Sequence, residues 1–417
     1  MKINKCTIGL IAVGLVSLAS VAQAEEKSVP LMTALSQTII SGYVDTSAVW
    51  NPGTGNANPA PVSFNYGKQD GFNLNVVNLT LEKPLDEGQW SAGYKAELLF
   101  GPDAVGFNNS ANARTAVNGT SSGIVNGTAT DALTTNSFPV TGSSEGTSSG
   151  SGATLSDFGI KQAYVALRAP VGNGLDFKLG VFDSPIGYES FVGYRNPNYT
   201  RSYGYTLEPT EHTGVLASYQ VNDVFAFSAG VANTLNAGIN ARSTRSESSK
   251  AYMASLTITA PESAGVLAGS AFYAGIVDGF GSAEENQTTV YLGATIATPV
   301  AGLKLGAAYD QAYHLGGLVS HGYADSIGLY ASFQATEKLS IHARGEYAKV
   351  DPLFGTHARV LGLTGTVQYD LWANVISRFE VRWDHSTSGN ELFGGTTFRD
   401  YSKKNEIMLA ANLIYKF

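Results

Sequence analysis

The stretch IMLAANLIYKF, Ile407 to Phe417, carries its apolar residues with a period of two. One set of alternate positions reads Ile407, Leu409, Ala411, Leu413, Tyr415 and Phe417; the other reads Met408, Ala410, Asn412, Ile414 and Lys416. Such a period puts successive side chains on opposite faces of a strand. The first face is wholly apolar and finishes on two aromatics. A face of that kind needs an apolar surface to meet, and a strand needs neighbours for its backbone.

The other end of the chain suggests where that surface lies. Lys2 and Lys5 precede an apolar run from Thr7 to Ala22, and Ala22-Gln23-Ala24 follows it. A charged start, a short apolar run and small residues spaced A-x-A form a secretory signal, so residues 1–24 are expected to be removed. An N-terminal anchor is the alternative, but the run is short for one. Residues 25–36 form a short segment, and 37–417 the working domain. The single cysteine, Cys6, lies inside the signal, so a mature chain has no disulfide framework. The formal charge is -8, and loss of Lys2 and Lys5 lowers it by two more. That acidity argues against nucleic acid as a partner.

Only 14% of residues are charged, while Gly, Tyr and Phe are abundant. After the signal no apolar run reaches the roughly eighteen residues of a membrane helix, and no convincing helical period appears. Instead alternating stretches recur, with cores at 37–49, 72–84, 90–101, 158–170, 175–183, 211–221, 224–234, 251–260, 267–278, 287–299, 303–314, 323–335, 339–350, 359–371, 375–386 and 404–417. Short turns such as Gly172-Asn173-Gly174, Asn222-Asp223 and Ala301-Gly302 alternate with long connections at 50–71, 102–157, 184–210, 235–250, 279–286, 315–322, 351–358 and 387–403. The expected fold is all-β: a transmembrane antiparallel β-barrel of about 16 strands, both termini on the short-turn side. In lipid every backbone N–H and C=O must be paired within the protein, which leaves helices or a closed barrel. A soluble sandwich is the competing reading. Against it stand the loop alternation and the aromatics at strand ends: Trp90, Trp372, Tyr415 and Phe417 by the short turns, Trp50, Phe100 and Trp383 by the long loops.

Strand parity then nominates the residues facing a water-filled lumen. Leu339, Ile341, Ala343, Gly345 and Tyr347 alternate with His342, Arg344 and Glu346; Phe379, Val381 and Trp383 alternate with Arg378, Glu380, Arg382 and Asp384. The pore-lining candidates are Lys95, Glu97, Arg344, Glu346, Arg378, Arg382 and Lys416. Two roles are open for the arginines. They could face loop carboxylates across the pore and set up a transverse field. Alternatively Arg344/Glu346 and Arg378/Glu380 could neutralise each other, as cross-strand neighbours do.

Two stretches resemble the putative beta-barrel porins of Gram-negative bacteria: Gly42-Tyr43-Val44-Asp45-Thr46, and Phe182-Asp183-Ser184-Pro185-Ile186-Gly187-Tyr188-Glu189 followed by Arg201-Ser202 and His212-Thr213-Gly214-Val215. The resemblance covers the whole mature chain in layout. It implies a cell outer-membrane pore passing small hydrophilic solutes or ions by passive diffusion, with outer-membrane lipid as a partner and a homotrimer as a compatible assembly. It also implies that the third long loop, 184–210, folds inward and narrows the pore. The constriction candidates are Tyr188, Glu189, Tyr194, Arg195, Arg201, Tyr203 and Glu208; Glu211 is a further charged neighbour. Tyrosine suits such a crowded, wet site because it needs both an apolar contact and a hydroxyl partner. The terminal Leu413, Tyr415 and Phe417 resemble the signal read by the barrel assembly machinery. The loop at 102–157 is low-complexity, built of Gly, Ser, Thr, Asn and Ala.

Enzyme chemistry is not expected. The six histidines fall in no G-x-S-x-G elbow and no H-E-x-x-H motif. No cofactor and no metal are expected. The alternative function is a plugged outer-membrane barrel serving as an adhesion or receptor protein, or a structural one, with its business in the 102–157 loop.

Overall fold

A computed structural model describes residues 37–53, 56, 70–86, 90–107, 158–235, 239–240, 246, 248–280, 286–313, 322–353, 356–396 and 400–417. The expected signal, the segment 25–36 and most of the low-complexity loop, 108–157, lie outside the described residues.

The chain forms a closed antiparallel barrel in which each strand pairs with its sequence neighbours and the first with the last. The strands are β1 (Ile39–Trp50), β2 (Gly71–Lys83), β3 (Ser91–Phe100), β4 (Phe158–Ala169), β5 (Leu175–Asp183), β6 (Glu211–Gln220), β7 (Phe225–Ala232) and β8 (Ala251–Thr259). Then follow β9 (Ala271–Phe280), β10 (Asn286–Ala297), β11 (Leu303–Tyr313), β12 (Tyr323–Gln334), β13 (Leu339–Leu353), β14 (Thr356–Trp372), β15 (Val375–Ser386) and β16 (Asn405–Lys416). All sixteen expected strands are present.

Parity divides the wall as the pattern requires. Leu329, Leu363, Phe379, Val381, Leu413 and Tyr415 are exposed on the outside, whereas Arg344, Glu346, Arg382 and Asp384 are buried within. The two face sets of β16 separate in the same way, the apolar one pointing out. Trp50, Trp90 and Trp372 stand exposed, as membrane-interface aromatics do. No helix among the described residues is long and apolar enough to cross a membrane.

Closure depends on the terminal residue. Gly42 N donates to Phe417 O at 2.9 Å, and Phe417 N donates to Gly42 O at 3.0 Å. A Cβ on Gly42 would lie 2.7 Å from the Phe417 ring and 2.2 Å from the Asn78 carbonyl oxygen. Gly42 therefore lets the first and last strands meet, which gives the Gly42–Thr46 motif a structural meaning.

Three features depart from the sequence reading. Pairing of β13 with β14 continues to Leu353↔Thr356, so the expected loop at 351–358 is largely strand. Short helical turns occur where no helix was expected, at Pro102–Phe107, Gly193–Arg195, Tyr203–Leu207 and Glu262–Leu267. β-Bulges shift the register between Asp45 and Thr46 and between Glu97 and Leu98, and leave Asn75 and Lys161 as the extra residues opposite them. Both extra residues are buried polar groups.

Candidate functional site

Segment 184–210 leaves β5 and returns to β6, yet its contacts lie on the far wall. β15 presents Arg378, Glu380, Arg382 and Asp384 on one face, two residues apart, about 7 Å per step. The segment runs along this row in the same direction. Arg378 Nη1 donates to Gly193 O at 3.0 Å and Nη2 to Asn196 O at 2.6 Å. Glu380 accepts from Tyr199 N at 2.6 Å and Thr200 N at 2.9 Å. Arg382 Nη1 donates to Arg201 O at 2.8 Å. Asp384 accepts from Tyr203 Oη at 2.6 Å. Cations thus take the segment's carbonyls, and carboxylates take its N–H and O–H groups.

β13 continues the fastening. Arg344 donates to Thr200 O at 2.9 Å and to Glu189 Oε1 at 3.1 Å, while its Nε pairs with Glu346 at 3.0 Å. Glu346 in turn accepts from Tyr203 N at 2.6 Å. Asn198 reaches Thr366 of β14 at 2.7 Å, and the Tyr199 and Ser47 hydroxyls meet at 3.0 Å. Every one of these charged groups would be costly to bury unpaired; here each has a partner in the segment or on the wall.

The segment also holds itself in shape. Arg201 donates to the carbonyls of Ser190, Tyr199 and Phe191. Asn196 donates to Ser190 O and Val192 O. Ser202 caps the turn Tyr203–Leu207 by accepting from Tyr205 N at 3.1 Å.

Apolar packing supplies three further anchors. Ile186 and Tyr188 join Leu216, Met253, Val277, Tyr291 and Tyr330. Phe191, with Val192 and Tyr194 against it, joins Tyr43, Val76, Leu99 and Ile414. Tyr203 and Leu207 pack on Ala348, Val360 and Phe393. The Tyr188 and Tyr330 rings stack at 4.3 Å. Small wall residues make room: a Cβ on Gly306 of β11 would lie 1.7 Å from Tyr188 Oη.

At its root the segment is flanked by Lys161, which is ion-paired with Asp183 and lies 3.6 Å from Glu211. Its ammonium also sits 5.5 Å from the centre of the Phe191 ring. Glu211 is the first residue of β6, at the expected start of that strand. Glu208 is buried beside Asp310 of β11. Burial raises the Glu208 carboxyl well above its ordinary range, and the neighbouring Asp310 and Glu189 carboxylates add to the effect.

The sequence-nominated residues therefore divide. Arg344, Glu346, Arg378, Arg382, Glu189 and Tyr203 come together in the fastening. Arg378 does not pair with Glu380; it binds loop carbonyls and Gln368, at 2.8 Å, instead. Of the arginine–loop carboxylate contacts that a transverse field would use, Arg344–Glu189 is a direct ion pair, at 3.1 Å. Arg201 turns inward on its own segment. Lys95 lies 3.4 Å from Glu97, which accepts from Asn78 and Gln162 as well. Arg195 and Lys416 both sit over the Tyr194 ring, at 5.8 and 5.5 Å. Leu413, Tyr415 and Phe417 face outward, each about half exposed.

Glu380 and Asp384, which the alternation R-x-E-x-R-x-D places on the lumen face, join the fastening as well. Thr200, Asn198, Lys161 and Asp310 carry no local signal in the sequence. Among the described residues no group of three or more His, Cys, Asp or Glu is placed to hold a metal ion.

A barrel whose wall is greasy outside and charged within, crossed by a docked segment, defines a porin-type outer-membrane channel. The chain belongs to the family described as "Putative beta-barrel porin-2, OmpL-like", whose profile matches residues 37–417. Solved structures share the fold at low identity. The outer-membrane channel DcaP of Acinetobacter baumannii is 11% identical, with a TM-score of 0.55 over 91% of this chain and 97% of that one. An anion-selective porin from Comamonas acidovorans is 13% identical, with a TM-score of 0.52 over 91% and 99%. A trimer form of OmpT from Vibrio cholerae is 11% identical, with a TM-score of 0.53 over 91% and 99%. No curated protein sequence matches the chain.

Proposed function

We propose that this outer-membrane porin works by passive diffusion: small hydrophilic solutes move down their gradients through a water-filled lumen that segment 184–210 narrows. The observation that carries the reading is the row on β15 and β13. Arg344, Arg378, Arg382, Glu346, Glu380 and Asp384 each bond to that segment. A segment held this firmly can set a size limit without a moving part and without a covalent step. Family membership supports the same reading, and the trimeric OmpT supports a homotrimer as the working assembly.

Residues 1–24 serve as the export signal, and Leu413, Tyr415 and Phe417 as the mark read by the assembly machinery. Their outward apolar side chains, two of them aromatic, are accessible for such reading until lipid covers them.

The test is conductance and solute uptake by the reconstituted chain. Discrete open-channel steps, and swelling of liposomes in small sugars but not in larger ones, are the expected results. A barrel that folds in detergent yet conducts nothing would instead be the plugged receptor or structural protein. Arg378→Ala with Arg382→Ala should admit larger sugars than the unaltered chain; an unchanged size limit would remove the segment from its proposed role.

A further inference from the structure

The lumen carboxylates of the fastening are consumed. Glu189 serves Arg344 and Tyr330, Glu380 serves two loop amides, and Glu346 and Asp384 serve the wall arginines. Toward the root, Lys161 takes Asp183, and Arg168 takes Asp176 at 2.6 Å. Among the described residues the cations on β5, on β16 and in segment 184–210 make no ion pair of this kind.

Lys178 of β5 lies 5.0 Å from the centre of the Tyr164 ring. Arg195 and Lys416 share the Tyr194 ring, which is itself held edge-on by Tyr43 at 5.2 Å. Among the described residues none of the three makes an ion pair. All three are partly exposed. Lys95 of β3 adds a fourth charge, but leans on Glu97 at 3.4 Å. On the acidic side Asp183 of β5 and Glu82 of β2 lie near Lys95 and Lys178. An aromatic face attracts a cation without cancelling its charge. The rings therefore hold these side chains in place while leaving the positive field intact. In a low-dielectric wall around narrow water, such a field concentrates counter-ions.

We propose that the lumen selects small anions, chloride and simple carboxylates, through the patch formed by Lys178, Arg195 and Lys416 with Lys95 beside them. The chain's overall acidity does not oppose this, because the carboxylates of the fastening are tied up and the field a solute meets is local. The proposal rests on the passive-diffusion reading given above.

The full chain is reconstituted in planar bilayers, and zero-current potentials are read under tenfold gradients of potassium chloride and of potassium acetate. The expected result is a chloride-to-potassium permeability ratio of about three or more, with acetate also preferred over potassium. Lys178→Gln, Arg195→Gln and Lys416→Gln together should bring the ratio close to unity. Lys338→Gln, on an exposed turn, should leave it unchanged. Should Lys416→Gln disturb closure, seen as lost heat-modifiable mobility, the pair Lys178→Gln and Arg195→Gln still lowers the ratio. Open channels that favour potassium or show no preference overturn the inference and leave the diffusion reading intact. So does a ratio that the substitutions do not move. A folded barrel with no channels at all overturns the diffusion reading and the inference with it.

Discussion

Segment 184–210 docks on two walls that hold it by different physics. On β13 and β15 the contact is ionic: Arg344, Arg378 and Arg382 grip carbonyl oxygens, and Glu346, Glu380 and Asp384 grip N–H and O–H groups. On β9–β11 the contact is steric. Gly275 and Gly306 leave sockets in which Ile186 and Tyr188 rest. A buried charge tolerates no change of partner, whereas a socket tolerates any side chain of the right shape. The ionic wall thus fixes where along the barrel the segment lies, and the steric wall fixes how deep it sits.

The largest effect should follow from breaking the ionic wall. Arg344→Ala would leave Glu189 buried without its cation and Glu346 with Arg382 alone, 3.6 Å away, at a cost of about 3–5 kcal/mol to docking. The thermal midpoint in detergent should fall, and trypsin should gain access to the segment. An unaltered midpoint would mean that water already solvates those carboxylates.

Filling a socket should cost less. Gly306→Ala pushes on the Tyr188 ring and should destabilise docking by about 1–3 kcal/mol. The penalty should shrink when Tyr188→Ala is added, because the displaced ring is gone. Equal penalties in both backgrounds would show that the socket is not what Gly306 provides.

Acidity probes the seam between the two walls, where Glu208 lies against Asp310, with Glu189 nearby and the Tyr188 backbone N–H as a donor. The Glu208 carboxyl is raised above its ordinary 4.5. Its contribution is therefore fully present below that value and is lost as the pH rises through the folded-state value. Open-channel noise should increase with pH over that window, and Glu208→Gln should flatten the dependence. Noise that grows toward acid would reverse the assignment.

The smallest effect should come from Tyr188→Phe. Its hydroxyl is buried and finds no hydrogen-bond partner among the described residues, so the change should stay within about 0.5 kcal/mol. A larger loss would place an ordered water on that oxygen.

How much of this was legible in the sequence can be followed along β15. The alternation of Phe379, Val381 and Trp383 with Arg378, Glu380, Arg382 and Asp384 identifies a strand and assigns its faces, because parity is a local property. Segment 184–210 stands out by its tyrosines and its length. What each arginine binds was not legible. Arg378 and Gly193 are 185 residues apart, and their contact depends on sixteen registers and on closure of the ring. The two bulges add to this, since each resets parity for a few residues and brings Asn75 or Lys161 into the interior. Lys178 is illegible for a related reason: a lone lysine on a nine-residue strand carries no pattern, and its surroundings come from other strands, some of them distant in the chain.

The sequence by itself determined the barrel. Period-two alternation, turn chemistry and an apolar face reaching Phe417 are enough, because a chain with those features can satisfy its backbone in lipid only by closing on itself. The tertiary structure alone decided how the interior is used. Which charges are spent on holding a segment, and which remain for a solute to meet, depends on distances between strands far apart in the chain, and local composition holds no record of those.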